Sequence, residues 1–527
     1  MTKTKMVWFF IEIYKPMNLI RKFTILSILL FASSLCFSQG VEEIFCKLVE
    51  TKTNYTVPYA TIQFKSSGKG IVANVDGDFR IPYRYKAIKD TLIISCLGYE
   101  TKIIEATLLK DKSINTIYLN PKIEALGQVV IQGKKTSSSD LDAYTLVKKA
   151  IASITLNYPT KPYSSVGYYR DYQIVRGDYY NLNEAIIESY DAGFQTDIMM
   201  NAYNESAILS YKENKEFSRD SSLLIAYDGD SKYIKNTTLS GQGGNELGIL
   251  NVHNPIRNFE HLSFSFVYVF KRKFLENHEF ETLHKVYLND DIIYEISFKA
   301  KSGLVGSGHR ASGKIFIAKD NFAIHKLEYR VLETNNVNPL FEVVIEYKPK
   351  GDFMYLNYIT FNNRFIVSNK FVFDVQSIDF NVYEQAFYMK FNNKLDTTTV
   401  DRKDFRFKYQ KRKLLVKKAE IVDQQTVKIT IADWSLPETI DENTNMSEFD
   451  YRVKNIYDVA NRRILRSPKI EAYQFREFFA QDVFENKIKP KNLKFIMKYK
   501  PLSEAEVNSL ESNDDYWMNT PLKNTNN

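Results

Sequence analysis

Along most of this chain apolar residues come in short extended runs set off by turn residues, and only a few stretches show helical spacing. Residues 41–120 hold six such runs, roughly Ile44–Val49, Ala60–Phe64, Gly70–Ala73, Asp78–Ile81, Thr91–Cys96 and Thr101–Ala106. Asp76-Gly77 lies between two of them, where glycine supplies the positive φ of a tight hairpin. Pro58 precedes another, a position where its missing N–H does no harm. Six or seven short strands in this space predict a small β-sandwich.

A linker-like Lys134–Ser139 follows, and then Leu141, Tyr144, Val147, Ile151, Ile154 and Tyr158 recur on one helical face. Ser139 is a candidate cap and Pro159 a stop. From Tyr163 the text becomes long strands. Tyr163–Ile174 and Tyr179–Ser189 flank Arg176-Gly177-Asp178, a hairpin. Asn289-Asp290-Asp291, Lys319-Asp320-Asn321 and Lys350-Gly351-Asp352 punctuate a meander that includes Ile292–Lys299, Ser312–Ile317, Ala323–Leu332, Phe341–Tyr347 and Phe353–Phe361. A curved antiparallel sheet with one helix across its concave side is expected, enclosing an apolar groove. Phe449–Arg463 and Ile470–Val483 show helical spacing, and Ser503–Leu510 reads as a short helix.

The fold class is therefore mainly β. A small sandwich is followed by a large curved antiparallel sheet with a covering helix and a partly helical C-terminal region. The divisions are 1–38, 39–121, a linker over 122–139, 140–430 and 431–527. Composition agrees: 35 Tyr and 36 Phe against 3 Trp suit pleated, half-buried surfaces.

The formal charge of +8 suggests a nucleic-acid binder until its distribution is read. Half of it lies in residues 1–38, where Lys3, Lys5, Lys15, Arg21 and Lys22 stand against Glu12. What remains is too weak for a nucleic-acid footprint. That opening segment reads as an export signal starting at Met17, with Arg21-Lys22, an apolar Phe23–Phe31 and cleavage expected between Ser38 and Gln39. Leu35 before Cys36 argues against a lipid anchor. No later stretch approaches the roughly 18–20 apolar residues of a membrane-spanning helix. Export to the periplasm or outer membrane follows, and there Cys46 and Cys96 are free to pair or to stay apart as thiols.

One family emerges from the front region. Pro58-Tyr59-Ala60, Asn74-Val75-Asp76-Gly77-Asp78-Phe79 and Ser95-Cys96-Leu97-Gly98-Tyr99 resemble the carboxypeptidase-regulatory-like domain. That family is a transthyretin-like sandwich found at the front of outer-membrane TonB-dependent receptors and other exported proteins. The resemblance implies an accessory module for binding or scaffolding, not the catalytic part of a peptidase. Leu126–Gly133 resembles the strand that leads to the plug of those receptors, but no plug follows. Tyr294–Lys301 with Gly313–Val331 is similar in pattern to the half-barrels of periplasmic lipoprotein carriers. The Arg476–Phe479 element (Arg-Glu-Phe-Phe) and Tyr516-Trp517 resemble tails of exported proteins that bear the same front domain.

Candidate chemistry is sparse. His278, Glu281 and His284 contain the His-x-x-Glu pair of zinc carboxypeptidases. On a strand, 278 and 281 point to opposite faces, so a strand-edge His cluster is expected and a zinc-dependent peptidase is the alternative. The Gly-rich Ser240–Gly248 lacks the Lys-Ser/Thr of a phosphate loop and reads as a loop over the sheet mouth. His253-Asn254-Pro255-Ile256-Arg257 reads as a turn. Asn74–Asp78 lacks the distal Glu of a calcium loop. Arg402–Lys418 holds nine basic residues among aromatics, suited either to lipid phosphates or lipopolysaccharide, or to a solvated strand-and-helix face. The expectation is a non-catalytic envelope protein, with no cofactor, no catalytic residue and no metal. It would bind a partner protein or an amphiphile at the outer membrane. A glycan-binding accessory role is a further alternative.

Overall fold

The computed structural model describes residues 43–125, 141–223, 246–260, 273–301, 304, 309–333, 339–368, 372–465, 469–497, 500–508 and 515–522. The expected signal segment, the linker with Ser139, the Leu126–Gly133 strand and Ser240–Asn245 lie outside these residues.

The front region folds as read. Strands β1 (Glu43–Glu50), β2 (Thr61–Phe64), β3 (Gly70–Val72), β4 (Asp78–Pro82), β5 (Thr91–Ser95), β6 (Lys102–Glu105) and β7 (Asn115–Leu119) make two sheets, β4-β1-β7 and β3-β2-β5-β6. Their inward residues, among them Ile44, Leu48, Ile62, Phe64, Phe79 and Ile94, share one core. The Asn74–Asp78 turn is a hairpin held by its own side chain. Asn74 Oδ1 accepts from Asp76 N at 2.9 Å and Asp78 N at 2.8 Å, and Gly77 has φ +74°. Cys46 and Cys96 are both free. Burial pushes each thiol up to about 12, so neither is a ready nucleophile.

The second body is one antiparallel sheet of 11 strands. Its members are β8 (Ile123–Ala125), β9 (Tyr163–Val175), β10 (Asp178–Asp191), β11 (Glu205–Glu213), β12 (His278–Leu288), β13 (Asp291–Ala300), β14 (His309–Ala318), β15 (Ile324–Glu333), β16 (Pro339–Lys350), β17 (Phe353–Ser368) and, much later in sequence, Lys469–Glu485. Arg176 and Gly177 turn β9 into β10, both at positive φ, which matches the twist of the flanking strands. The Ala143–Ala152 helix lies on one face. Its cap is Asp142, whose carboxylate accepts from Thr145 N at 2.9 Å.

Phe449–Arg463 and Ile470–Val483 are not helices. The first begins with a short strand, Phe449–Val453, and the second lies within the Lys469–Glu485 strand, which fills the gap between β9 and β17. That strand is buried on both faces, so the alternation that marks a half-exposed strand is missing from its sequence. Of the expected short helix over Ser503–Leu510, the described residues of this stretch, which end at Asn508, show one turn at Leu502–Glu504.

A third body stands between β17 and the returning strand. Strands β18 (Val375–Asn381), β19 (Ala386–Phe391), β20 (Phe405–Tyr409), β21 (Arg412–Leu414), β22 (Val416–Ile421), β23 (Thr426–Ile431) and β24 (Phe449–Val453) form sheets β18-β19-β23-β22 and β21-β20-β24. Phe387, Phe391, Phe407, Ile429 and Ile456 build a core of its own, with Phe387 and Phe407 stacked at 4.1 Å. The boundary expected after residue 430 falls inside β23 of this body. The Lys469–Glu485 strand, β25, then completes the large sheet.

Two glycines in the large sheet are obligatory for packing. A Cβ on Gly313 would lie 2.0 Å from Glu328 O and 2.5 Å from Phe298 Cζ, and one on Gly167 would lie 2.5 Å from Phe479 O. Phe298 and Tyr329, the residues flanking Gly313 in register, stack across it at 5.5 Å. Gly313→Ala is expected to cost about 3 kcal/mol in urea denaturation. Gly177→Ala, with nothing within 4 Å of its Cβ, will cost about 1 kcal/mol of backbone strain.

Candidate functional site

The two faces of the large sheet have opposite characters. On the inner face Ile296, Phe298, Ile315, Leu327, Val343 and Phe361 pack against Leu146, Val147, Ala150 and Ile154 of the covering helices and Leu247 and Leu250 of the Glu246–Val252 helix. Tyr158 OH donates to Ile324 O at 2.7 Å. The expected apolar groove is thus occupied by the chain's own side chains. A cavity of about 80 Å³ on this side is lined by Asp191, Asn254, Arg257 and Tyr347 together with Leu247, Phe478 and Val483. That is far below the roughly 300 Å³ at which ligand sites begin.

The motifs read from sequence divide between these faces. His253–Arg257 is a turn, as expected, and it builds the small cavity's wall. Arg257 donates from Nε and Nη2 to Asp191 at 2.7 and 2.8 Å, and Asn254 Nδ2 donates to Tyr347 OH at 2.8 Å. His278 opens β12 and turns inward. Its Nδ1 donates to Phe274 O at 2.8 Å and its Nε2 lies 3.1 Å from Tyr329 OH. Burial pushes this imidazole down to about 4. Glu281 faces the other side of the sheet, so the pair cannot share a metal. Among the described residues no three His, Cys, Asp or Glu side chains are grouped to hold one.

The outer face carries an open trough of about 500 Å³ across β12–β16. Strand register sets its walls. One row runs Glu279, Lys299, Ser312, Arg330, Glu342 and the next runs Glu281, Ser297, Lys314, Glu328. Both charge signs therefore alternate across neighbouring strands. Lys299 pairs with Glu279 at 3.2 Å and Lys314 with Glu295 at 2.6 Å, while the exposed Arg330 guanidinium has no ion pair among the described residues. Burial pushes the Glu342 carboxyl up. Burial acts the same way on Glu328, but Lys326 beside it wins and holds it below its usual value.

The front sandwich is docked on this same outer face, next to the trough. Tyr59 stacks on Tyr358 at 5.1 Å, Asn357 Nδ2 donates to Thr61 Oγ1 at 2.7 Å, and Gly98 N donates to Tyr287 O at 3.1 Å. Tyr59 adopts φ +59°, a costly backbone for a bulky residue, and it belongs to the Pro58-Tyr59-Ala60 motif. Strand β8 leaves the sandwich and adds an edge strand to β12.

The Arg-Glu-Phe-Phe element explains itself as two faces of β25. Arg476 points inward and pairs with Glu246, and Phe478 enters the main core. Glu477 points outward and pairs with Arg170, both fully buried, and Phe479 packs with Tyr358 and Tyr168. Tyr516 joins that outer cluster, while Trp517 enters the sandwich core with its carbonyl accepting from Gln481 Nε2 at 2.6 Å. Asn519 then bridges to Arg80 N and Val72 O. Sequence reading singled out both elements. Their role was hidden because it depends on partners far away in sequence, 230 residues for Arg476 with Glu246 and 307 for Arg170 with Glu477.

Fold and site together define a class: a modular β protein whose front sandwich is fixed beside a charged trough on a long sheet. The comparisons narrow that class for the front region. Residues 46–131 match the family model described as a CarboxypepD_reg-like domain. No curated protein matches the chain. Among solved structures, a LolA superfamily protein from Nitrosomonas europaea is 9% identical, with 42% of this chain and 86% of that one covered and a TM-score of 0.19. A likeness that slight does not establish a shared fold.

Proposed function

We propose that this is a non-catalytic cell-envelope protein that binds a partner protein through the charged trough. The sandwich and the Tyr516–Asn519 segment hold that face rigid. The observation that carries the reading is the contrast between faces: the inner side is filled, and the open space among the described residues is charged. Such a wall suits a polar segment of a partner, because each alternating charge finds a counter-charge there and rejects wrong partners. The carboxypeptidase-regulatory-like match supports an accessory role in the envelope.

A photo-crosslinking residue at Ser312 is expected to capture a discrete adduct in intact envelopes, and one at the exposed Thr107 is not. Lys299→Glu with Arg330→Glu should abolish the Ser312 adduct. Equal adducts at both positions, or capture that survives the charge reversals, would dismiss the trough.

A further inference from the structure

The basic run Arg402–Lys418 plays no part in the trough. It lies on the third body, where β20 alternates. Phe405, Phe407 and Tyr409 go into the core with Leu414 of β21, while Arg406 and Lys408 of β20 and Lys413 of β21 are exposed on the outer side. Register makes the outer surface of the β21-β20-β24 sheet a cationic sheet. Lys408 stands directly opposite Lys413, and Arg406 directly opposite Arg452. Like charges facing each other across a ladder destabilise it. None of these four cations has an ion pair among the described residues, and Asp450, on the same face, stands directly opposite Lys408 on the other side from Lys413.

Two more local costs fall on the same body. The β20–β21 hairpin turns through Gln410 and Lys411 at φ +44° and +71°, where glycine or asparagine is strongly preferred. Trp434 is 75% exposed on a turn hydrogen-bonded to Leu415: Leu415 N donates to Ser435 Oγ at 3.1 Å and Ala432 N to Leu415 O at 2.8 Å. Such concentrated local cost is characteristic of a surface kept for function.

We propose that this face docks on an anionic lipid bilayer. The cations supply attraction to the headgroups, and Trp434 supplies the amphipathic ring that settles at the headgroup level. Cations spread over three adjacent strands fit an extended anionic plane better than a single small anion. The inference is independent of the trough.

The test uses the full chain with vesicles of phosphatidylcholine containing phosphatidylglycerol, or of phosphatidylcholine alone. Sedimentation with the anionic vesicles alone is expected, reversed by high salt. Neutralising Arg406, Lys408 and Lys413 together to Gln should weaken binding about 100-fold, since each basic residue near such a surface is worth about 5-fold. The same change at the exposed Lys65, Lys110 and Lys112 should leave it intact. The first triple variant removes the Lys408–Lys413 like-charge pair together with the Lys408–Asp450 opposition, so its melting temperature should change little. Vesicle binding should also shift Trp emission to the blue, and Trp434→Phe should remove that shift. Absence of sedimentation with anionic vesicles, or a triple variant that binds as wild type, overturns the proposal. So does retention on heparin without lipid binding.

Discussion

Glu477→Ala is expected to destabilise the protein by about 3–5 kcal/mol, because it leaves a guanidinium buried without its counter-charge. Arg170 and Glu477 are both fully buried where the front sandwich meets the sheet. Arg170 lies 5.2 Å from the Tyr172 ring, 5.5 Å from Phe479 and 6.0 Å from Tyr168. Its Nη1 and Nη2, and Glu477 Oε1, have no hydrogen-bond partner. The pair is thus held by one contact and by surrounding rings. Removing one partner should be far worse than removing both, since two apolar side chains of similar volume refill the space. Urea unfolding will read the difference: Glu477→Ala should lose the stated amount, and Arg170→Met with Glu477→Leu should recover most of it. A single variant within 1 kcal/mol of wild type would refute this reading of the interface.

What the sequence disclosed depended on how local the determinant is. The Asn-x-Asp-Gly hairpin and the Arg176-Gly177 turn are written in adjacent residues, because a positive φ has to be met on the spot. The meander from Tyr163 to Phe361 was legible for the same reason. The third body was missed: no composition shift marks its entry, and its core joins Phe387 to Phe449 across the basic run. Strand β25 was misread because both its faces are buried, so its period is concealed. The large antiparallel sheet with a helix on it was inferred correctly, and the open groove between them was not. Whether side chains fill that space is a matter of volume, which a pattern does not carry. The trough could have been suspected from the row of charges at Glu279, Lys299, Lys314, Glu328 and Arg330, but only register places them side by side.

Acid should unfold this protein early. His253, His278 and His325 are buried, and burial pushes their imidazoles down to about 3, 4 and 4. Between pH 6.5 and 4.5 the unfolded chain binds a proton on each, whereas the native protein binds none, so stability falls as pH falls. Asp171 works in the opposite sense. Burial pushes its carboxyl up to about 7, with Glu246 adding to the shift, so the native state holds a proton there that the unfolded chain has lost. Burial raises the carboxyls of Glu342, Glu346 and Asp78 in the same sense as Asp171. The net loss over those two pH units therefore stays below the about 5 kcal/mol that three imidazoles against Asp171 alone would give, at 1.36 kcal/mol per unit and group. Two variants separate the contributions. His325 Nδ1 has no hydrogen-bond partner, so His325→Leu sacrifices none at that atom and should flatten the slope by about one proton. Tyr169 OH and Asn183 Nδ2 reach different oxygens of Asp171. Asp171→Asn keeps the acceptor for Asn183 and turns its amide NH2 toward the Tyr169 hydroxyl, which can accept, and it should steepen the slope by about one proton. Urea midpoints measured from pH 7.5 to 4.5 decide it. Parallel slopes for wild type and His325→Leu would mean that the imidazole finds solvent in the folded state and that the inner core is looser than its packing implies.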